Sequence, residues 1–271
     1  MLNPPDHARY CAALLHQTEL LRKTLTGADL DARVPTCPDW SLRELAVHVG
    51  GSHRWAAEIV RTRAVEEVEE ETVLLFDGPP KEATAGGDLD DHAALDRWLA
   101  EGASLLADTL REAGPETSAW TWAGPPRAGF WARRMAHETV IHYADACSAT
   151  GADFEVAPDI AADCLDEWLE ILASPEMQED DEELRELRTR AGESLHLHAT
   201  DTADAAEWLI ELGTDGISWR HAHGQATVAL RGPLNDVLRV FYRRLPSDSD
   251  RVEVLGDAEL LDFWLTRASW S

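Results

Sequence analysis

Residues 41–51 read Ser-Leu-Arg-Glu-Leu-Ala-Val-His-Val-Gly-Gly, and they decide how the first half of the chain is read. Ser41 followed three residues on by Glu44 has the form of a capping box, in which hydroxyl and carboxylate each bond a free amide of the first turn. The spacing predicts a helix running from Leu42 through Leu45, Val49, Trp55 and Ile59. Gly50-Gly51 inside it costs helix stability, so the pair implies close approach by another backbone or a ligand. His48 lies within this helix on an otherwise apolar stretch, where an imidazole buried without a partner is costly.

Outward from that helix, apolar positions Tyr10, Ala13, Leu14, Leu20, Leu21 and Leu25 predict a first helix over 6–26, ending before Gly27. A loop with Pro35, Cys37, Pro38 and Trp40 joins the two. A third helix is expected over 90–113, before Gly114-Pro115, and a fourth over 130–150, ending at Gly151. The acidic stretch 66–71 and the Gly/Pro-rich stretch 77–87 read as a long surface loop bordering the site. Four amphipathic helices make a four-helix bundle, a scaffold that commonly builds metal sites from core-facing side chains. A further helix is expected over 159–173.

The acidic run 179–186 marks a change of pattern. Short alternating stretches follow at 194–199, 207–212, 217–220 and 226–230, punctuated by Gly213, Gly216 and Gly224, and they read as an antiparallel sheet. Residues 233–245 and 258–269 are helical by spacing, with a short strand at 252–254 between them. The fold class expected is therefore α+β with two domains: a helical bundle over 1–176 followed by a smaller α+β domain over 190–271.

With 51 acidic against 24 basic residues the formal charge is −27, which repels phosphate backbones and anionic lipid surfaces and excludes nucleic acid and membranes as partners. The N-terminal stretch has no basic leader with an apolar block, and the chain has no run of about 18 apolar residues, so a soluble cytoplasmic protein is expected. The four cysteines, Cys11, Cys37, Cys147 and Cys164, form no CxxC pair and are expected to be reduced and mostly packed. Nothing in the composition specifies an oligomeric state.

The chemistry centres on Glu138 and His142, four residues apart on the fourth helix and so on one face. His137 and His142 are five apart and point in different directions, so the zinc-protease spacing is not met and Glu138 is the expected ligand. A solvated helix-surface pair is the alternative for Glu138 and His142, and a core histidine bonded to a carbonyl is the alternative for His48. Taken together, His48, Glu138 and His142 form the three-ligand set of a catalytic zinc, or of another divalent metal such as nickel or iron, with an open fourth position. Asp145 and Arg134 are either partners that orient these ligands or ordinary helix-face salt bridges. His196/His198 and His221/His223, each spaced by two near predicted strands, could share a sheet face, but neither pair brings an obvious carboxylate. Trp120 and Trp122 could wall a ligand cleft.

The stretch 34–50, from Val34-Pro35-Thr36-Cys37-Pro38-Asp39-Trp40 to Gly50, together with 134–138, His142 and Asp145, resembles the mycothiol-dependent maleylpyruvate isomerase family of DinB-like metal-binding bundles. Residues 226–245 and 252–257 are similar to the family's sterol-carrier-like C-terminal domain. The resemblance implies zinc on His48, Glu138 and His142, and mycothiol as the low-molecular-weight thiol. It also implies a small-molecule electrophile as substrate, isomerised from cis to trans or, as in relatives, given the thiol permanently, in a cleft between the domains. A C-terminal-domain arginine, Arg220 or Arg231, would meet the substrate carboxylate. A non-catalytic metal- and lipid-binding protein is the alternative. A metal lowers the pKa of a thiol, ordinarily near ~8.5, which suits thiol chemistry.

Overall fold

The computed structural model describes residues 5–80, 88–202 and 206–268. The parts of the expected loop at 81–87, and residue 269 of the expected last helix, lie outside them. The chain forms two compact units, Pro5–Phe154 and one containing Glu155–Ser271.

In the first unit α1 (His7–Leu25) starts at Asp6, whose carboxylate accepts from the Arg9 amide at 2.8 Å. Then come a ribbon of β1 (Arg33–Val34) and β2 (Cys37–Ser41), α2 (Leu42–Thr62), α3 (Asp88–Ala113) and α4 (Ala128–Thr150). Helix α1 packs on α3 and α4, and α2 packs on the same two, which makes the bundle. Leu14, Leu21, Leu45, Ile59, Trp98, Leu106 and Trp131 fill its core. The capping box is formed as read: Glu44 N donates to Ser41 Oγ at 3.3 Å and Ser41 N to Glu44 Oε2 at 2.7 Å. Gly151 closes α4 at φ 74°, a conformation glycine adopts freely.

The close approach implied by Gly50-Gly51 is made by α3 and by the segment before it. A Cβ on Gly50 would overlap the Trp98 ring, and one on Gly51 would lie 2.8 Å from the Phe76 carbonyl oxygen. Buried Arg54, one turn on, donates to the Gly50 and Trp98 carbonyls at 3.0 and 2.7 Å and lies 4.2 Å over the Trp98 ring. Helices α2 and α3 thus meet nearly backbone to side chain. The segment read as a proline-rich loop is instead the β1–β2 ribbon, with Pro35 and Pro38 exposed.

The second unit contains α5 (Pro158–Leu172), two short helices α6 (Pro175–Asp180) and α7 (Glu182–Glu186), β3 (Ser194–Ala199), β4 (Glu207–Gly213), β5 (Gly216–His221), β6 (Val228–Gly232), α8 (Leu234–Phe241), β7 (Glu253–Gly256) and α9 (Ala258–Arg267). The expected antiparallel sheet is mixed, in the order β5-β4-β3-β6-β7, because β3 and β6 pair in parallel. The hairpin β4–β5 takes one edge of β3, leaving β6 only the other, where it runs in the same direction. The division of the chain falls before α5, not near residue 176. Helix α5 packs on α8 and is tied to its unit by Tyr242 Oη to Cys164 O and Trp168 Nε1 to Ala268 O, both 2.8 Å. Among the described residues no helix is long and apolar enough to cross a membrane.

Candidate metal centre

The packing of α2 on α4 brings His48 to the Glu138/His142 face across a sequence separation of 90 residues. Both His48 Nε2 and His142 Nε2 lie 3.0 Å from Glu138 Oε1. The three ligand atoms are all within 4.8 Å of one another. Donor atoms on a tetrahedral zinc with bonds of ~2.1 Å are about 3.4 Å apart, so an ion fits with small adjustments.

The partners around this set are aimed to hold it. Asp145, fully buried, accepts on Oδ2 from His142 Nδ1 at 2.9 Å, with Cys37 Sγ 3.6 Å from the same oxygen, and on Oδ1 from Thr36 Oγ1 at 2.5 Å. A proton held on Nδ1 by a carboxylate leaves the Nε2 lone pair for a ligand role. Arg134 Nη2 reaches Glu138 Oε2 at 3.4 Å, on the oxygen that the imidazoles do not use. Asp145 and Arg134 therefore contact the set itself. The Trp40 ring covers both imidazoles, with centroids 4.7 Å from His48 and 5.8 Å from His142.

Electrostatics follow from burial opposed by partners. Burial disfavours a charged His142, but Glu138 and Asp145 outweigh it and raise its pKa to about 9. Burial likewise opposes ionisation of Glu138, and His142, His48 and Arg134 overcome it, holding the carboxyl well below its ordinary value. The metal-free cluster is thus a carboxylate beside a protonated imidazole, and an ion entering it must displace that proton. Next to it His53, fully buried, bonds Thr139 Oγ1 at 2.9 Å, and burial with the nearby Arg54 charge drops its pKa to about 3.

Other sequence candidates fall elsewhere. His137 faces the Tyr10 ring on α1, as its spacing from His142 required. Trp120 packs with Trp55 and Trp131, and Trp122 stands edge-on to Phe130. Arg220 pairs with Glu211 and Arg231 with Glu253, so both expected substrate arginines are exposed and already matched to carboxylates on neighbouring strands. His221 bonds Asp166 at 3.0 Å and parts from His223, which joins His196, His198 and Glu207. The roles of Thr36, Cys37 and Trp40 were not legible singly, although Trp40 stands just before the cap of α2, where an apolar residue commonly folds over the first turns.

Fold and site together define a class: a two-unit protein whose helical bundle gathers a His/Glu/His donor set. The chain belongs to the mycothiol maleylpyruvate isomerase N-terminal domain family, whose model matches residues 11–147, and residues 159–263 match the MDMPI C-terminal domain. Among solved structures it is similar to a mycothiol-dependent maleylpyruvate isomerase, at 17% identity over 92% of this chain and 93% of that one, with a TM-score of 0.56. A histidine-to-alanine mutant of a mycothiol-dependent maleylpyruvate isomerase gives a TM-score of 0.53 at the same identity and coverage. A UbiJ-SCP2 ubiquinone synthesis protein gives a TM-score of 0.29 over 43% of this chain and 93% of that one at 17% identity. No curated protein matches the sequence.

Proposed function

We propose that this chain is a zinc-dependent, mycothiol-using enzyme that isomerises maleylpyruvate or a closely related cis-olefinic acid, with thiol transfer to an electrophile as the variant outcome at the same centre. The observation that carries the reading is the convergence of His48 and His142 on one oxygen of Glu138 from two helices distant in sequence. Family membership supports the thiol and the reaction class.

In this reading His48, Glu138 and His142 hold the ion through two imidazole nitrogens and a carboxylate oxygen, leaving a position for a thiol sulfur. A bound ion would supply Lewis acidity that favours thiolate at neutral pH, and the thiol would supply the nucleophile for an activated double bond. Asp145 keeps the proton of His142 on Nδ1, away from the ion. Arg134 steadies the second Glu138 oxygen, and Trp40 shields both imidazoles from water on the ribbon side.

The test is a paired measurement on untagged protein: metal content after purification, and conversion of maleylpyruvate with and without mycothiol. One zinc lost in His48→Ala, with turnover that requires mycothiol, is the expected result. Thiol-independent turnover, or full activity in His48→Ala, would overturn the reading, and net consumption of mycothiol would identify the transfer variant.

A further inference from the structure

We propose that the sheet of the C-terminal unit carries a second divalent transition-metal site, formed by His196, His198, Glu207 and His223. Strand alternation puts His196 and His198 on one face of β3, and the antiparallel register sets Glu207 of β4 directly opposite His198. His223 arrives from just past the end of β5. The Nε2 of His196, Nδ1 of His198 and Nδ1 of His223 lie 2.7, 3.4 and 2.6 Å from Glu207 Oε2, and all four ligand atoms are within 4.8 Å of one another.

Hydrogen bonding alone is a poor account of this convergence. One carboxylate oxygen offers two lone pairs, yet three imidazole nitrogens gather on it. The rings do not stack; they stand at 77–84° to one another with centroids 5.5–6.1 Å apart, spread around a shared point as ligands around an ion are. Glu207 and His196 are buried, at 7% and 5% exposure, where an anion without a cationic partner is costly. An ion among the four atoms satisfies the three nitrogens and the oxygen together.

The donor set selects the occupant. Three imidazole nitrogens and one carboxylate oxygen suit Zn²⁺, Co²⁺, Ni²⁺ or Cu²⁺ over Mg²⁺ and Ca²⁺, which prefer all-oxygen shells, and over thiolate-seeking Cu⁺. Four protein ligands close a tetrahedral shell, the pattern of a structural site, in contrast to the three-ligand set of the bundle. Such an ion would fasten β3, β4 and the segment after β5 to one another. The side chain of His223 is 76% exposed, so the ion enters from solvent through that corner. The site stands apart from the function proposed for the bundle and does not rest on it.

The experiment titrates cobalt(II) into untagged, chelator-stripped full-length protein and follows the visible bands of tetrahedral cobalt. Wild type should take up two equivalents and His48→Ala one. In His223→Ala, exposed enough to leave the fold intact by circular dichroism, the second equivalent should weaken by more than ~100-fold, beyond the cost of losing an outer partner. His198→Ala, made in parallel, should behave likewise. One equivalent in wild type that His223→Ala abolishes would uphold this site and sink the bundle centre. One equivalent that His48→Ala abolishes and His223→Ala leaves unchanged would overturn the proposal, making the cluster a hydrogen-bonded network around Glu207.

Discussion

Replacing Asp145 by Asn separates holding a metal from touching it. The carboxylate accepts from His142, Thr36 and Cys37 in a fully buried position. Asparagine is nearly isosteric, but one of its ends donates. If the amide NH₂ turns to His142, Nδ1 must become the acceptor, the proton moves to Nε2, and the nitrogen facing Glu138 can no longer ligate. If the amide carbonyl turns to His142 and Cys37, the Thr36 hydroxyl that donated to the carboxylate meets an NH₂ group in a fully buried position. Losing a charge-assisted bond of ~1.5–3 kcal/mol in either arrangement implies a 10–100-fold weaker metal site, or about 1.4–2.7 kcal/mol. One effect opposes this, since Asp145 also raises the proton affinity of His142. Zinc affinity should therefore be measured against a chromophoric chelator at pH 9.5, above the value of about 9 for His142, where proton competition is small. Thr36→Val, which removes one donor and leaves the charge, is expected to cost only a few-fold. A folded Asp145→Asn protein within twofold of wild type would show that the reasoning about the tautomer is wrong.

Other expectations follow from the same geometry. Gly50→Ala gains about 1 kcal/mol of helix propensity but drives a methyl into the buried Trp98 ring, a cost of ~1–3 kcal/mol or more, so thermal unfolding should show net destabilisation; a stabilised variant would refute the close approach. Neutral in the fold at any pH above about 3, His53 contributes stability that is complete above its ordinary pKa of 6.5 and is lost as pH falls below that value. The slope is up to ~1.4 kcal/mol per pH unit. Urea unfolding at pH 7 and pH 5 should therefore show a loss about 2 kcal/mol smaller in His53→Gln than in wild type, and equal losses would count against a buried neutral imidazole. His142, raised to about 9, must give up a proton to an incoming ion, so apparent zinc affinity at the bundle centre should rise roughly 30-fold from pH 6.5 to 8.0; an unchanged affinity would mean that no proton is displaced.

What could be read from the chain depended on whether the signal was local. The start of α2 and the end of α4 were legible because Ser41 with Glu44, and Gly151, carry their own capping chemistry. The β1–β2 ribbon was not, since Pro35 and Pro38 argue against a strand and only pairing across a short turn reveals one. Alternation located the strands of the second unit but says nothing of their neighbours, so the parallel β3–β6 contact was missed. Helix α5 was given to the bundle because amphipathic spacing does not say which core a helix covers, a matter settled by Tyr242 and Trp168. At the bundle centre the residue types and spacing brought His48, Glu138 and His142 into view together. At the sheet the histidines were visible, yet their carboxylate was not, because Glu207 joins them only through the register of β4 against β3.

The mixed sheet also sets an order of assembly. Strands β3, β4 and β5 follow one another through antiparallel neighbours and can form by local closure, whereas β6 pairs with β3 across the whole of that meander, and nonlocal pairing is slow. All four residues of the histidine cluster lie at or before position 223, ahead of β6 at Val228. The cluster can therefore be complete while the sheet is still half built, and an ion caught there would act on the folding chain as an early clasp, favouring the register that β6 and β7 later extend.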